Sequence, residues 1–354
     1  MKRQYAIYDE IMSQPECFDR TRIVTEVYLP TFKSLISQAL PDGIILMGCG
    51  SMYNLALSIQ HIWRKYTELS IYAITSSEMW LNETEIKKIM GADNWLLISL
   101  SRSGETSETI IAHQLFPGPK MCITCHASST LNIENRHNFI LPDSAEKAIP
   151  ETRAFTSMYA AITQIVLSIS EAEPSIKAIS LLKPSAERVL LECSDTARAL
   201  ADSQTIKDIF ILGSDSRYGL AREAALKIKE VAVRQAESCR FMEFRHGPQA
   251  LVGTSTLIIG MISDTFRNQE EKVLADMRSL GASTLTIGES GCDINFNSGI
   301  IDEDIRGPLY LLFIHLFAYY GAILSGKDPD TPRNLSKVVE LSDRFHKIGN
   351  NSLC

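Results

Sequence analysis

The sequence lacks the features of several large functional classes. No apolar run reaches the ~20 residues that a membrane-spanning helix needs, and the first ten residues lack the apolar stretch of a secretion signal. The 354 residues carry a net charge of -7 and contain no basic run, which argues against nucleic-acid binding. We therefore expect a cytoplasmic protein with no membrane and no nucleic-acid partner.

The eight cysteines and seven histidines are scattered through the chain rather than clustered. Scattered cysteines in apolar or helical surroundings indicate free thiols in a reducing compartment. Metal sites need clustered His, Cys or carboxylate ligands, so we expect no metal. The segment Cys122-Ile-Thr-Cys125-His126 matches a haem c attachment motif, but its apolar setting fits a buried strand better.

Short apolar segments alternate with longer helical stretches. Largely apolar segments of about five residues fit strands buried on both faces of a parallel sheet. They are residues 44–47, 69–74, 95–99 and 120–125 in the first half, and 209–212, 257–262 and 284–287 in the second. Helices are predicted at 52–65, 218–234, 268–280 and 308–324, with a mainly helical connector at 155–203 that breaks at Pro174 and Pro184. The alternation predicts an α/β protein.

The two halves resemble copies of one unit. The segment from Gly48 to Ala56 aligns with that from Gly213 to Ala221, with Gly, Ser, Tyr, Leu and Ala at matching positions, a strand before each and a helix after. This shared context favours an internal duplication. We place N-terminal helices and the first domain in residues 1–175, and a connector helix, the second domain and a C-terminal tail in 176–354.

Residues 101–106, Ser-Arg-Ser-Gly-Glu-Thr, follow an apolar strand and open a helix that is predicted to begin near Glu105. Hydroxyl groups and backbone N–H groups at a helix N-terminus suit a phosphate ester. A helix cap formed by Ser103 is the alternative, but a cap accounts for one of these residues only. We therefore predict a phosphate cradle here. The turn before Ser51 fits an anion site and a simple serine-capped turn equally well.

A second constellation combines Glu223, Lys227 and Glu230, at i, i+4 and i+7 of a predicted helix, with His246 in the following loop. The spacing alone fits an exposed salt-bridged face. His246 stands before Gly-Pro on irregular backbone, where an imidazole is accessible. A carboxylate and an imidazole together could supply acid and base for proton transfer beside a carbonyl. Both interpretations stay open at this point.

Several motifs in a fixed order resemble the double sugar-isomerase (SIS) family. Besides the segments beginning at Gly48 and Ser101 they are residues 152–156, 224–230, 244–248 and 332–338. The family includes the isomerase half of glucosamine-6-phosphate synthase, stand-alone amino-sugar-phosphate deaminase/isomerases, and deglycases of fructosamine- and glucosamine-type 6-phosphates. The resemblance implies two tandem SIS domains, each a flavodoxin-like three-layer αβα unit with a parallel sheet.

The resemblance also implies roles for individual residues. Glu230 matches the base that moves a proton between C1 and C2, His246 the group that assists ring opening in a neighbouring subunit's site, and Lys337 the tail lysine that contacts the open-chain sugar. Glu223 and Lys227 would support Glu230. The sugar-phosphate ligands would be Gly50, Ser51, Ser101, Arg102, Ser103 and Thr106. A homodimer or higher homo-oligomer with shared active sites, and no cofactor, are implied as well.

Two departures from the synthase pattern refine the expectation. The chain has no counterpart of the glutamine-hydrolysing domain, so we do not expect glutamine-dependent synthesis. Glu151 stands where the synthase has a small residue, and it is a candidate contact for a substrate amine; a solvated loop residue is the alternative. The expected activity is release or movement of the amine of an amine-bearing hexose 6-phosphate. Plain aldose–ketose isomerisation and a non-catalytic sugar-phosphate-binding regulator are the alternatives.

Overall fold

A computed structural model of the chain describes residues 5–91, 94–133, 135–339 and 341. The first half contains α1 (Ala6–Met12), α2 (Gln14–Ala39), β1 (Gly43–Gly48), α3 (Ser51–Tyr66), β2 (Ser70–Thr75), α4 (Ser76–Leu81), α5 (Glu83–Met90), β3 (Trp95–Leu100), α6 (Ser107–Leu115), β4 (Lys120–Thr124), α7 (Thr130–Ile133), β5 (Asn138–Ile140) and α8 (Arg153–Ile169).

The second half contains α9 (Glu173–Ala178), α10 (Leu182–Ala201), β6 (Asp208–Leu212), α11 (Ser216–Lys227), β7 (Glu237–Cys239), β8 (Thr256–Met261), α12 (Arg267–Ser279), β9 (Ser283–Gly288), β10 (Ile294–Asn295) and α13 (Leu309–Leu324). A π-helical turn, Ile228–Ala232, extends α11. Short 3-10 helices lie at Pro142–Ser144, Ile179–Leu181, Glu243–Arg245 and Pro248–Leu251.

Each half forms one five-stranded parallel sheet, and the two sheets share the same strand order. The orders are β2-β1-β3-β4-β5 in the first sheet and, counted from the matching edge, β7-β6-β8-β9-β10 in the second. Strand β6 therefore corresponds to β1, β7 to β2 and β8 to β3. The residue before each corresponding helix, Gly50 or Asp215, has a similar backbone conformation, with φ 55° and ψ -119° or φ 48° and ψ -127°. The predicted duplication is therefore visible in both topology and local geometry.

Burial along the strands explains the layers. In β1, Ile44 and Leu46 face the main core, while Ile45 and Met47 face a separate apolar cluster on the other side of the sheet. The strands of the second sheet divide in the same way between the main core and an outer cluster. Successive side chains of a strand point to opposite faces, so both faces of each sheet are covered. The predicted α/β fold with two three-layer domains is confirmed.

The two halves meet where α3 packs against α11. At Gly219 a Cβ atom would lie 2.3 Å from the Ser58 hydroxyl and 2.5 Å from the Asn54 carbonyl oxygen. Such distances are far below van der Waals contact, so this crossing requires a residue without a side chain. The close approach brings the face of α11 that carries Glu223 against Asn54 of the first domain.

All seven strands predicted from apolar runs are present, whereas β5, β7 and β10 were not predicted. They have only two or three residues and include polar side chains, so they give no apolar run. The prediction of a helix break at Pro184 is wrong, because Pro184 lies in the first turn of α10, where a proline is tolerated. The boundary between residues 175 and 176 falls inside α9 and stays a prediction.

Two sequence-based interpretations concern side chains of the core. The interpretation of this segment as a haem c attachment site is wrong. Cys122 lies in β4, Cys125 is the first residue after that strand, and both thiols are buried. All cysteines in the described ranges are free thiols; Cys354 and His346 lie outside those ranges.

Across the described part of the chain, no helix is both long and apolar enough to cross a membrane.

Candidate active site

The loop after β3 is held in a fixed shape by its own hydroxyl groups. Ser101 Oγ accepts a hydrogen bond from the Gly104 amide at 3.0 Å, and Ser103 Oγ accepts one from the Glu105 amide at 3.2 Å. Gly104 has φ 67°, and a Cβ atom there would lie 2.2 Å from the Ser129 hydroxyl oxygen. This position therefore needs glycine both for its backbone conformation and for its close neighbour.

The helix after this loop begins later than predicted. The first residue of α6 is Ser107 rather than one near Glu105, and the residue before it, Thr106, makes no capping bond with its side chain. The alternative interpretation, in which Ser103 caps the helix, is therefore wrong. Ser101, Ser103 and Thr106 all lie in irregular backbone at the carboxyl end of β3 and the N-terminus of α6, where an open parallel sheet binds ligands.

Arg102 turns inward from the same loop and is 4% exposed. Its guanidinium lies 3.4 Å from a carboxylate oxygen of Glu146 and 3.5 Å from one of Glu151, and it donates a hydrogen bond to the Ala148 carbonyl at 3.3 Å. These three residues belong to the segment between β5 and α8. Arg102 thus fastens that segment to the cradle loop, and its predicted role as a phosphate ligand stays a prediction.

Glu151 is not a solvated loop residue. Its side chain is 17% exposed, and one carboxylate oxygen is buried without a hydrogen-bond partner among the described residues. Burial raises the pKa of Glu151 to about 7, against the opposing effect of the positive charges of Arg102 and Lys227. Glu151 is thus a carboxyl group near its titration midpoint at neutral pH, and both the cradle and α11 contribute to its electrostatic environment.

The face of α11 that carries Glu223 and Lys227 is buried, so the interpretation as an exposed salt-bridged face is wrong. Both residues are at most 1% exposed. The Lys227 ammonium lies 3.3 Å from a carboxylate oxygen of Glu223 and also pairs with Glu230. The second carboxylate oxygen of Glu223 accepts a hydrogen bond from the Asn54 amide at 3.0 Å. The chain of contacts therefore crosses from α11 to α3.

Burial sets the charge balance of this chain of contacts. Burial raises the pKa of Glu223, while Lys227 and hydrogen bonds from Asn54 and Ser51 act in the opposite direction. Burial alone would lower the pKa of Lys227, but the carboxylates of Glu223, Glu230 and Glu151 raise it above its ordinary value. Lys227 is therefore a permanent cation among carboxylates, and Ser51, buried at the start of α3, belongs to the same network.

Glu230 does not continue the regular helix face that its spacing predicted. It lies in the π-helical turn Ile228–Ala232, which ends at Val233 in the left-handed conformation with φ 52°. Its side chain is 21% exposed, whereas Glu223 is fully buried. The wider turn thus leaves one carboxylate of the pair accessible to a ligand while keeping it bonded to Lys227.

The C-terminal tail lies against the first domain. Lys337 Nζ donates a hydrogen bond to the Glu146 carbonyl at 2.6 Å. The Ser107 amide donates to the Val339 carbonyl at 3.3 Å, and the Leu341 amide donates to the Ser107 hydroxyl at 3.2 Å. The tail therefore runs along the first turn of α6 and brings a lysine to the segment that Arg102 also holds.

Comparison with known proteins agrees with this geometry. The chain is 27% identical over 318 residues to the glutamine–fructose-6-phosphate aminotransferase (isomerizing) of Buchnera aphidicola, covering 84% of this chain and 51% of that protein. It superimposes with a TM-score of 0.78 on glucosamine-6-phosphate deaminase of Thermotoga maritima, at 26% identity, covering 95% of this chain and all of the other. No protein-family model matches.

These similarities in sequence and fold support a sugar isomerase (SIS) family for the chain. A tagatose-6-phosphate ketose/aldose isomerase of Escherichia coli shares the fold with a TM-score of 0.81 at 22% identity, covering 93% of this chain and 95% of the isomerase chain. The chain spans about half the length of the curated relatives it matches. These similarities support a relationship to phosphosugar isomerases, and the particular reaction is a separate question.

His246 is not bonded to the other site residues of its own chain in the part that the structure describes. His246 follows the 3-10 helix Glu243–Arg245 and is exposed. Within the described residues, neither hydrogen bonds nor ion pairs join its imidazole to Glu230 or to residues 101–106. Its predicted contribution to a neighbouring subunit's site stays a prediction.

Two site residues were missed by the sequence analysis. Glu146 was not considered, yet its buried carboxylate accepts hydrogen bonds from the Thr152 amide at 2.6 Å and from the Arg153 amide at 2.8 Å, and so caps α8. His126 was considered only as part of a haem motif. Burial and the positive charges of Lys337 and Arg102 lower the pKa of His126. Its position directly after a buried strand was the available signal.

Proposed function

We propose that this SIS protein is an enzyme that acts on an amine-bearing hexose 6-phosphate and releases or moves the amine by proton transfer between C1 and C2. One observation carries the proposal: three distant parts of the chain converge on residues 146–151. Arg102 of the cradle pairs with Glu146 and Glu151, and the tail residue Lys337 bonds to the Glu146 carbonyl. Lys227 of α11 lies within electrostatic range of Glu151.

The cradle would hold the phosphate. Ser101, Ser103 and Thr106 precede α6, whose first backbone N–H groups and dipole favour a dianion. The Ser101 and Ser103 hydroxyl oxygens accept bonds from backbone amides, which leaves their protons available to donate to phosphate oxygens. The phosphate would thus fix one end of an open-chain sugar without any metal step.

The chemistry would be supplied by the second domain. Glu230 is the accessible carboxylate, and it would take a proton beside the carbonyl or imine carbon and return it to the neighbouring carbon. The Lys227 cation beside it would stabilise the negative charge that passes from Glu230 to the enediolate or enolamine as the proton is taken. The substrate's own carbonyl or imine accepts the electron pair, so the proposed proton transfer needs no organic cofactor. Water would then hydrolyse the resulting imine, which breaks its C–N bond, leaves a carbonyl on the sugar phosphate and releases the amine.

The position of Glu151 is evidence that the substrate carries an amine. A partly buried carboxylate with an unused oxygen offers an ammonium group the ion pair that a neutral hydroxyl cannot replace. The relative from Thermotoga maritima is named a glucosamine-6-phosphate deaminase and is 26% identical over most of both chains. The Buchnera relative is named an aminotransferase and isomerase of fructose 6-phosphate. Both names include an amine and a hexose 6-phosphate.

A product-resolved assay tests the proposal. The protein is incubated without glutamine with glucosamine 6-phosphate and, separately, with a phosphorylated fructose-lysine, and ammonia and free lysine are measured. Ammonia from the first substrate supports a deaminase, and lysine from the second supports a deglycase. Interconversion of amine-free hexose 6-phosphates with neither product would contradict amine release and leave plain isomerisation as the activity.

Substitution of the base separates an enzyme from a sugar-phosphate-binding regulator. Glu230→Gln removes the proton acceptor but keeps a side chain of the same size beside Lys227. We expect turnover to fall by about 10²- to 10⁴-fold, while the dissociation constant for a hexose 6-phosphate changes little. Glu237→Gln, an exposed glutamate of β7, is the matched control and should keep full turnover. Unchanged turnover in Glu230→Gln would rule out this residue as the base.

A further inference from the structure

The loop after β8 occupies the place in the second sheet that the cradle loop occupies in the first. Both sheets have the same strand order, and both loops lead into a helix, α6 or α12. The second loop carries Ser263, Asp264 and Thr265. Two hydroxyl groups and a helix N-terminus are therefore present at the corresponding position of the second domain.

A carboxylate of the protein already lies on this second loop. One oxygen of Glu303 accepts hydrogen bonds from the Ser263 hydroxyl at 2.9 Å and the Asp264 amide at 3.0 Å, and the other accepts one from the Thr265 hydroxyl at 3.1 Å. Hydroxyl and backbone N–H donors around one anion form the kind of site that binds phosphate. Glu303 thus supplies an internal anion where the first domain would bind an external one.

A buried arginine beside Glu303 is an independent sign of an anion site. Arg217 is 2% exposed, and its guanidinium lies 3.2 Å from Glu303. Its Nε and Nη2 atoms have no hydrogen-bond partner among the described residues. The side chain lines a cavity of about 270 Å³ together with His61, Lys65, Ser216 and Thr265 and with the acidic residues Asp215, Glu303 and Asp304. A buried guanidinium with unused donors can bind more oxygen atoms than one carboxylate provides.

The second residue of each loop explains why the protein's own carboxylate bonds to the loop in the second domain but not in the first. In the first domain this position is Arg102, whose guanidinium pairs with Glu146 and Glu151 from the segment after β5. In the second domain it is Ser263, which offers no counter-charge. Glu303 follows β10 just as Glu146 and Glu151 follow β5, and it bonds directly to the loop.

We infer that the second domain retains a latent phosphate-binding site whose occupant is the Glu303 carboxylate, so that the protein binds one phosphate group per chain. Removal of this carboxylate opens the second loop, with Arg217 at its side, to a phosphate ion or a phosphate monoester. The expected count of one in the unchanged protein rests on the proposed cradle at residues 101–106.

Equilibrium dialysis of the full chain with radiolabelled inorganic phosphate at constant ionic strength tests this inference. We expect one phosphate per chain for the unchanged protein and two for Glu303→Ser. Glu271→Ser removes the same charge from a partly exposed position of α12, where the carboxylate pairs with Arg267, and should leave the count at one. Ser101→Ala/Ser103→Ala should abolish binding, and its combination with Glu303→Ser should restore one phosphate per chain.

Thermal unfolding gives a second measurement, which remains informative when the variant is less stable than the unchanged protein. Glu303→Ser leaves Arg217 buried without its carboxylate, so its Tm should fall without phosphate and rise with phosphate by more than that of the unchanged protein. Glu303→Ala should behave in the same way. An unchanged count of one with no extra thermal shift in either variant would overturn the inference. Phosphate bound by Ser101→Ala/Ser103→Ala alone would instead contradict the proposed cradle.

Discussion

At the residue scale, Glu151 connects the proposed substrate to pH. The groups around this carboxyl are Arg102 and Lys227, which favour its charged form, and Glu146 and Glu223, which oppose it; burial holds its pKa at about 7. The KM for glucosamine 6-phosphate should therefore fall as the pH rises from about 6 to about 8, because the carboxylate that binds the ammonium forms over this range.

Steady-state kinetics on Glu151→Gln check this prediction. The amide cannot titrate, so the variant should have a higher KM with only the pH dependence of the substrate's own amine. Inhibition by glucose 6-phosphate, which has no amine, should be equally strong in both proteins. Equal pH profiles of KM in the two proteins would show that Glu151 does not bind the amine.

The same shift predicts how stability depends on pH. The pKa of Glu151 is raised from 4.5 to about 7 in the folded chain, so the folded state keeps a proton that the unfolded state releases between these values. The contribution of Glu151 to the free energy of unfolding is therefore largest below pH 4.5 and falls as the pH rises to about 7. Chemical denaturation at several pH values should show that Glu151→Gln removes this loss.

Arg102 gives a stability prediction with a matched surface control. Arg102→Met leaves Glu146 buried without its cation and should cost about 3–5 kcal/mol of unfolding free energy. Arg20 pairs with Asp143 at 2.8 Å, but the two side chains are 60% and 39% exposed. Arg20→Met should cost about 1 kcal/mol or less. Equal losses in urea denaturation would mean that the buried pairs of Arg102 are not structurally important.

The residues of the site differ in how far the sequence could reveal them. Ser101 and Ser103 were predicted to lie at a ligand-binding edge because their motif follows an apolar run, and the structure places them there. The burial of Glu223 and Lys227 could not be predicted, since an i, i+4 pair has the same spacing on an exposed face and on a buried one. The inward direction of Arg102 depends on Glu146, which is 44 residues away.

At the element scale, the crossing of α3 and α11 determines the geometry of the site. Gly219→Ala would place a methyl group 2.3 Å from the Ser58 hydroxyl, so the two helices must separate. Separation stretches the bond between Asn54 and Glu223, and we expect a loss of about 1–3 kcal/mol in stability together with a lower kcat. Thermal unfolding and steady-state kinetics measure the two effects.

Gly253→Ala is the control for this variant, because a Cβ atom there meets no atom within 4 Å. It should change neither stability nor kcat appreciably. If Gly219→Ala matched this control, the close packing of α3 on α11 would not hold the site in place.

The elements also show what an apolar pattern can and cannot predict. Every strand of five or six residues was found, because each contains a short, largely apolar run. The π-helical turn at residues 228–232 was not predicted. A wider turn has the same composition as an ordinary helical turn, and tertiary contacts fix its geometry. The start of α6 was misplaced by two residues, which is ordinary for helix ends.

At the scale of the whole molecule, the position of His246 predicts subunit complementation. The implied role of His246 lies in a neighbouring subunit, and in one chain it is exposed, with neither a hydrogen bond nor an ion pair to Glu230 among the described residues. Glu230→Gln and His246→Ala should each be nearly inactive. Mixing the two after reversible dissociation should restore about a quarter of full activity in a dimer, because half of the dimers are mixed and each has one complete site.

Sedimentation must first show that the protein is an oligomer and that the subunits exchange. As a control, Glu230→Gln mixed with the double variant Glu230→Gln/His246→Ala should stay inactive, since no site can then be complete. No recovery in an exchanging mixture of the two single variants would place His246 and Glu230 of one site on the same chain, or remove His246 from the mechanism.

The shared strand order of the two domains has a consequence for how the site could change over time. When two identical subunits form a symmetric pair, each codon substitution alters both clefts at once, and neither can be lost without the other. Two copies on one polypeptide are encoded separately. One cleft could then gain Arg102 and keep its hydroxyl groups open, while the other gained a carboxylate at position 303 and closed. A tandem arrangement would let the second copy close its own phosphate cleft while it still supplies Glu230 and Lys227 to the proposed site.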